Sequence, residues 1–166
     1  MRALPSPRAA ALIAALLGGT ALAIAFASEW WGGLVPCALC LWERWPYRIA
    51  ILLGLCGALL PARLTRPALA LLVVTFLIGA ALAGTHTGVE FGWWPSPLPE
   101  CAAPNLGSGS IADRLAAMPA RPAKPCDEPT YLIPWLPISM AAMNMIYALG
   151  AAVLTALSLC QRPRPQ

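Results

Sequence analysis

The sequence predicts an all-α membrane protein: a four-transmembrane-helix bundle with a long second outer loop carrying a short interfacial helix. Three observations predict this fold. The 166 residues are 59% hydrophobic and 11% charged, and their mean hydropathy of +0.68 is too high for an ordinary soluble domain. The apolar residues fall in four stretches with little charge, and basic and acidic residues occupy different connections between them. A single integral membrane domain over residues 1–166 is therefore expected.

The four apolar stretches set the predicted transmembrane helices, at about residues 9–28, 45–62, 67–86 and 135–160. A membrane-spanning helix needs about 20 mostly apolar residues, and isolated strands cannot satisfy their backbone hydrogen bonds in lipid. The second stretch is the weakest because Arg48 lies in its first turns. The first has an alternative interpretation, since Arg2 and Arg8 followed by an apolar run that ends in Ala25-Phe26-Ala27 is also typical of a signal peptide.

The distribution of charge predicts which ends of the helices face the cytoplasm, because Lys and Arg accumulate in short cytoplasmic loops. Three connections contain basic residues and no acid: Arg2, Arg8, Arg63, Arg66, Arg162 and Arg164. The acids all lie in the outer loops at about 29–44 and 87–134: Glu29, Glu43, Glu90, Glu100, Asp113, Asp127 and Glu128. Both termini are therefore expected in the cytoplasm. The net charge of +4 follows from this bias and needs no nucleic-acid partner.

Four of the six cysteines lie in the predicted outer loops, Cys37 and Cys40 in the first and Cys101 and Cys126 in the second. An outer loop meets an oxidising compartment, in which disulfides persist. The four cysteines allow three pairings, which the residues alone leave open. A non-enzymatic scaffold braced by structural disulfides therefore remains an alternative to redox chemistry.

The C-x-x-C pair of Cys37 and Cys40 is expected to be reactive. Pro46 is tolerable only in the first turn of a helix, so the second cysteine should lie at a helix start, where unpaired N–H groups stabilise a thiolate. Arg44 and Arg48 follow Cys40 at steps of four, on one helix face, and a nearby cation lowers the pKa of a sulfur. The alternative role of both arginines is to reach lipid headgroups.

A lone C-x-x-C is also typical of half a zinc site. The remaining ligand candidates are Cys101, Cys126 and His86, and a second C-x-x-C is missing from the sequence. A structural zinc site is closed by four ligands. We therefore expect no metal.

The second outer loop contains a predicted short helix from Ser110 to Met118. Ser110 can cap it, with Asp113 three residues on, and Ile111, Leu115 and Met118 form one apolar stripe. Such a helix can lie on a membrane surface. A linker without regular structure is the alternative.

Four motifs along the chain together resemble one known family, the DsbB family. They are Pro36-Cys37-Ala38-Leu39-Cys40-Leu41-Trp42-Glu43-Arg44, His86-Thr87-Gly88-Val89-Glu90-Phe91-Gly92-Trp93-Trp94, Cys101 and Cys126-Asp127-Glu128. Members of this family are quinone-linked oxidases that regenerate the periplasmic dithiol oxidant DsbA. The second motif resembles the alphaproteobacterial-type branch.

The resemblance implies a role for each outer cysteine. Cys101 and Cys126 would form the disulfide that the partner's thiolate attacks, with Cys101 the site of the mixed disulfide. The disulfide of Cys37 and Cys40 would reoxidise the loop pair, and Cys40 would pass the electrons to a bound quinone. The implied enzyme is a quinone-dependent protein-dithiol oxidoreductase.

The resemblance also implies a cofactor site, a partner and a location. Arg44 and His86 match the family's quinone-site arginine and histidine, and Met140 resembles a quinone-pocket methionine at the start of the fourth helix. Arg48 joins these candidates as an ionisable group at a membrane edge. The implied cofactor is ubiquinone or menaquinone. The implied partners are a DsbA-like periplasmic thiol oxidase and membrane lipid, with the chain a multi-pass protein of the bacterial inner membrane.

One further enzyme class is an alternative. A vitamin-K-epoxide-reductase-like protein also has four helices and a quinone, but its loop cysteines precede the C-x-x-C pair. Here Cys101 and Cys126 follow it, which favours the DsbB family.

Overall fold

The computed structural model describes residues 5–101, 110–112, 124–133 and 135–160, and the regular structure in these ranges is entirely helical. The α-helices bounded within them are α1 (Pro7–Trp30), α2 (Ala38–Trp42), α3 (Arg44–Leu59), α4 (Ala62–Glu90) and α5 (Met140–Leu159). A 3₁₀ turn at Pro99–Cys101 lies between α4 and α5. The predicted all-α class is confirmed for this part of the chain.

Three helices of the described ranges are long and apolar enough to cross a membrane. They are Pro7–Trp30, Arg63–Glu90 and Met140–Leu159, with mean hydropathies of 2.2, 2.3 and 1.7. At 16 residues, α3 is shorter than the roughly 20 residues of a typical span. Glu43 alone separates α3 from α2, so the two form one nearly continuous helical stretch.

Proline chemistry determines where α3 ends and α4 begins. Leu60 takes an extended conformation (φ −69°, ψ 156°), as expected for a residue that precedes a proline, so α3 stops at Leu59 rather than at residue 62. The next helix begins at Ala62, before the predicted start at residue 67, and includes Pro67. The charge of Arg66 did not end the helix, because its guanidinium reaches the Leu159 carbonyl oxygen at the end of α5, 3.4 Å away.

Local capping moves two further boundaries. α4 continues past residue 86 and ends at Glu90, two residues before Gly92, whose φ of +68° is readily available to glycine. His86 therefore lies one turn inside the helix rather than at its end. α5 begins at Met140 rather than at residue 135, because Pro137 disfavours helix upstream and the Ser139 hydroxyl accepts a hydrogen bond from the Ala142 N–H. Of the surface helix predicted over 110–118, residues 113–118 lie outside the described ranges.

The long helices pack through small residues. α1 lies along α3, and α4 lies along both α3 and α5. The buried core between them consists mainly of alanines: Ala10, Ala11, Ala14, Ala50, Ala151 and Ala152, with Tyr47, Leu69, Leu72 and Phe76. Gly54 brings the backbones of α1 and α3 together, since a Cβ at this position would lie 2.6 Å from the Ala11 carbonyl oxygen. Small residues of this kind are typical of helix interfaces in membranes.

Candidate active site

Cys37 and Cys40 lie at the start of α2, and the first of them caps this helix. Cys37 has an extended backbone, and its Sγ accepts a hydrogen bond from the Cys40 N–H at 3.2 Å. Both residues are free thiols, and their Sγ atoms lie 3.0 Å apart. Cys40 therefore lies in the first turn of α2, as expected, and the Cys37 sulfur caps this helix.

The contact between the two sulfurs makes them chemically unequal. Its hydrogen bond lowers the pKa of the Cys37 thiol, against the opposing effect of burial. This hydrogen bond therefore favours a negative charge on Cys37. The expected role of Cys40 as the thiolate that meets the quinone stays a prediction.

A disulfide joins Cys101 to Cys126, at a sequence separation of 25, in the connection between α4 and α5. Cys101 ends the 3₁₀ turn, and both half-cystines are buried, with exposed fractions of 5% and 1%. They belong to one hydrophobic cluster with Cys37, Leu39 and Val89. The fold thus places the loop disulfide and Cys37 in the same buried cluster.

Arg44 is buried at the start of α3 and is held by α1. It forms an ion pair with Glu29, and its guanidinium carbon lies 5.0 Å from the centre of the Phe26 ring. In the described part of the chain, Arg44 Nε is the buried side-chain nitrogen without a hydrogen-bond partner. A buried donor of this kind is costly to leave unpaired, so it marks a place where an acceptor group on a ligand would fit.

His86 lies between Cys37 and a carboxylate. Its Nε2 is 3.5 Å from the Cys37 Sγ, and its Nδ1 is 2.6 Å from Glu43 Oε1. The other oxygen of this carboxylate accepts a hydrogen bond from Asn144 Nδ2 at 2.6 Å, and Tyr47 OH donates to Asn144 Oδ1. His86 and Glu43 are 2% and 6% exposed. This is the arrangement of a thiol, an imidazole and an orienting carboxylate that nucleophilic sites share.

Three residues of this network were not among the predicted site residues. Glu43 was noted as an acid of the first predicted outer loop and as part of the motif around Cys37 and Cys40, and Tyr47 was part of an apolar stretch. Asn144 did offer a signal, because a polar side chain within an otherwise apolar membrane helix commonly faces the bundle interior and has a partner there.

An apolar cavity of about 160 Å³ opens beside Cys40 between α1, α3 and α5. The predicted residues Cys40, Arg44 and Met140 line it, together with Tyr47 and Asn144. Ligand cavities of this type combine apolar walls with a few polar groups that orient the ligand. The cavity can therefore hold a flat apolar molecule that carries a hydrogen-bond acceptor.

The remaining predicted cofactor residues lie outside this cavity. His86 does not line the cavity, but it adjoins two residues that do, Cys40 and Glu43. Arg48 is exposed on α3, where its guanidinium carbon lies 5.1 Å from the centre of the Trp45 ring. Its position agrees with the alternative role, contact with the membrane surface.

Cys37, Cys40 and His86 also form the one cluster of metal-ligating groups in the described residues. Their ligand atoms lie within 4.8 Å of one another, so the three could hold a metal ion. A structural zinc site takes a fourth protein ligand. The same two thiols and imidazole are also suited to thiol–disulfide exchange.

Comparison with known proteins agrees with the motifs. The chain matches the family described as disulfide bond formation protein DsbB over residues 7–158. It is 29% identical over 141 residues to an uncharacterized protein of Rickettsia prowazekii (strain Madrid E), an alignment that covers 84% of this chain and 80% of the relative. No solved structure shows a significant match.

Proposed function

The chain belongs to the DsbB family, and from this premise we propose that it is a quinone-dependent thiol oxidase. It oxidises the dithiol of a DsbA-like thiol oxidase in the periplasm and passes the two electrons to a quinone in the inner membrane. Family membership supports the coarser part of this statement, disulfide formation by a membrane protein. The quinone, the partner and the roles of individual residues are our proposal.

The observation that carries the proposal is the position of the C-x-x-C pair between two different surroundings. Cys37 packs against the Cys101–Cys126 disulfide, whereas Cys40 lines the apolar cavity. The Sγ atoms of Cys37 and Cys40 are 3.0 Å apart, close enough to form a bond after a small movement. Electrons can therefore pass from the reduced pair of Cys101 and Cys126 to the cavity through the sulfurs of Cys37 and Cys40.

Each exchange step transfers one electron pair between sulfurs. The partner's thiolate attacks the bond between Cys101 and Cys126, and a second partner thiol completes the partner's disulfide. The loop dithiol then reduces a Cys37–Cys40 disulfide in the same way. One loop thiolate attacks Cys37 and releases Cys40, and the second loop thiol then releases Cys37 as a thiolate, which a hydrogen bond from the Cys40 thiol stabilises. The two electrons and two protons finally reside on the Cys37–Cys40 dithiol, beside the cavity.

The cavity residues fit a quinone as the electron acceptor. Arg44 Nε is a buried donor in need of an acceptor oxygen, and Met140 with its apolar neighbours can cover a flat ring. A bound ubiquinone or menaquinone would supply a sink for two electrons and two protons. Glu29 fixes the guanidinium of Arg44, and Cys40 presents the sulfur nearest to the cavity. Arg48, outside the cavity, takes no part.

The proposal includes a topology of four membrane spans. α2 and α3 together form the remaining span, which places Cys37 and Cys40 near the outer membrane surface. The arginines around the start of α1, in the first turns of α4 and after α5 support cytoplasmic termini. The loop disulfide then faces the periplasm, where a soluble partner can reach it.

A coupled assay tests the proposed function. The purified protein in lipid nanodiscs is mixed with a reduced DsbA-like protein and ubiquinone, and quinone absorbance is followed. Quinone reduction should stop in Cys40→Ser and continue in the control variant Cys56→Ser, whose free thiol is exposed on α3. Undiminished quinone reduction by Cys40→Ser would refute the mechanism.

Non-reducing peptide maps also test the scaffold alternative, in which both disulfides stay intact when only reduced quinone is supplied.

A further inference from the structure

Three hydrogen bonds connect α3 and α5 to the imidazole beside Cys37. Tyr47 OH donates to Asn144 Oδ1, Asn144 Nδ2 donates to Glu43 Oε2, and Glu43 Oε1 lies 2.6 Å from His86 Nδ1. We infer that Asn144 and Tyr47 are positioning residues, which act through Glu43 to hold His86 with Nδ1 protonated and Nε2 directed at Cys37. This inference deepens the proposed function and rests on it for the use that Cys37 makes of the imidazole.

Tyr47, Asn144, Glu43 and His86 form a row of hydrogen-bonded side chains, and the donors and acceptors of this row can be assigned in one way. A carboxylate only accepts hydrogen bonds, so an ionised Glu43 requires a donor on each oxygen. The amide of Asn144 can donate only through Nδ2, and its Oδ1 is then left for the Tyr47 hydroxyl. His86 must likewise donate through Nδ1. A neutral His86 consequently has its bare nitrogen, Nε2, at the side of the Cys37 Sγ, 3.5 Å away.

This tautomer allows His86 to take the proton of Cys37. A proton that moves from Sγ to Nε2 leaves a thiolate and an imidazolium, and the Glu43 carboxylate balances the new positive charge. The other titratable groups that face the ring are Cys40 and Glu90. If the opposite tautomer formed, Nε2 would carry a hydrogen and Cys37 would lose its proton acceptor.

Asn144 and Tyr47 also link this network to the cavity. Both line the cavity beside Cys40, and Tyr47 is nearly inaccessible, with 3% of its surface exposed. Asn144 is the one member of the row on α5. The tautomer of His86 therefore depends on the position of α5, which packs mainly against α4 and lines the same cavity.

The inference can be tested directly because His86 is the only histidine in the sequence. Protein labelled with ¹⁵N-histidine gives the signals of one imidazole, and the ¹⁵N shifts separate the two neutral tautomers. In reduced protein in nanodiscs, above the pH at which the ring titrates, the Nδ1–H form should dominate. Tyr47→Phe removes one hydroxyl, and Asn144→Asp replaces a donor with an acceptor of the same shape. Each should lower the ratio of Nδ1–H to Nε2–H by about two- to twelvefold, the factor that corresponds to one hydrogen bond.

Tyr147→Phe is the matched control. The Tyr147 hydroxyl donates to the Leu17 carbonyl oxygen at 2.8 Å, so it belongs to the same bundle but not to the row. The control should leave the His86 ratio unchanged. An unchanged ratio in both Tyr47→Phe and Asn144→Asp, or an equal shift in Tyr147→Phe, would overturn the inference. Should Asn144→Asp not fold, Tyr47→Phe decides alone, because it removes only one oxygen atom.

The two proposals fail in different measurements. The NMR experiment contains neither quinone nor partner, so its result is independent of the oxidase activity. An unshifted spectrum with an active enzyme refutes the positioning role alone. A shifted spectrum with an active Cys40→Ser variant refutes the proposed function and leaves the positioning role intact.

Discussion

The Glu43→Gln substitution removes the carboxylate of Glu43 but keeps the shape of its side chain. Gln has nearly the same volume, but it offers one carbonyl oxygen and one NH₂ group in place of two acceptors. In the protein, Glu43 accepts from His86 Nδ1 on one oxygen and from Asn144 Nδ2 on the other. The amide can satisfy one of these donors, and its NH₂ group then faces the other.

The expected loss of exchange rate follows from the two hydrogen bonds of Glu43. Both contacts are 2.6 Å long, and the Glu43 side chain is 8% exposed, so water cannot replace a lost partner. One hydrogen bond to a charged group contributes about 1.5–3 kcal/mol. We expect a loss of about 2–3 kcal/mol in the activated state for thiol exchange, which corresponds to about 30- to 160-fold in rate.

Stopped-flow exchange between reduced partner and the oxidised protein measures this rate, and thermal unfolding in parallel shows whether the variant folds. Glu90→Gln is the control, because Glu90 accepts from the Ser139 hydroxyl on one oxygen, a bond that an amide carbonyl can keep. A folded Glu43→Gln protein with wild-type exchange rates would refute the reasoning, since His86 would then not need its carboxylate.

Three other outcomes follow from the geometry. Cys40→Ala removes the hydrogen bond that lowers the pKa of Cys37. The Cys37 thiolate is present above that pKa and lost below it. In a titration followed by absorbance at 240 nm, the thiolate of the variant should therefore form at a higher pH than in the unchanged protein. Arg44→Lys keeps a charge but removes the Nε donor, and quinone titration should show affinity about 10- to 160-fold weaker. Gly54→Val would force its side chain against an α1 carbonyl oxygen and should cost about 1–3 kcal/mol in unfolding experiments, whereas Gly150→Ala, which has open space, should not destabilise the protein.

Much of the helical architecture could be predicted from hydrophobicity, because a bilayer requires long apolar helices irrespective of their partners. Three of the predicted spans match helices with the necessary length and hydropathy. The boundaries were less predictable. Pro61 and Ser139 act through local backbone geometry, but Arg66 lies inside α4 because its side chain reaches a carbonyl oxygen of another helix.

The site residues that could be predicted are those whose chemistry is visible within a short stretch of sequence. Cys40, Arg44 and Met140 line one cavity. The contact of 3.0 Å between the two sulfurs and the helix cap that Cys37 provides were not predictable, since both depend on the folded backbone. Arg48 shared a helix face with Cys40 in the pattern, yet its guanidinium stacks on Trp45 outside the cavity.

Residues far apart in the chain account for the remaining features. The amino-acid order alone was enough for the helical class, the outer cysteines and the family, because apolar length and motif spacing are properties of neighbouring residues. The network of Tyr47, Glu43, His86 and Asn144 spans about a hundred positions of the chain. Hydrogen bonds of this range form only after α3, α4 and α5 pack, because their donors and acceptors have no fixed distance until the helices meet.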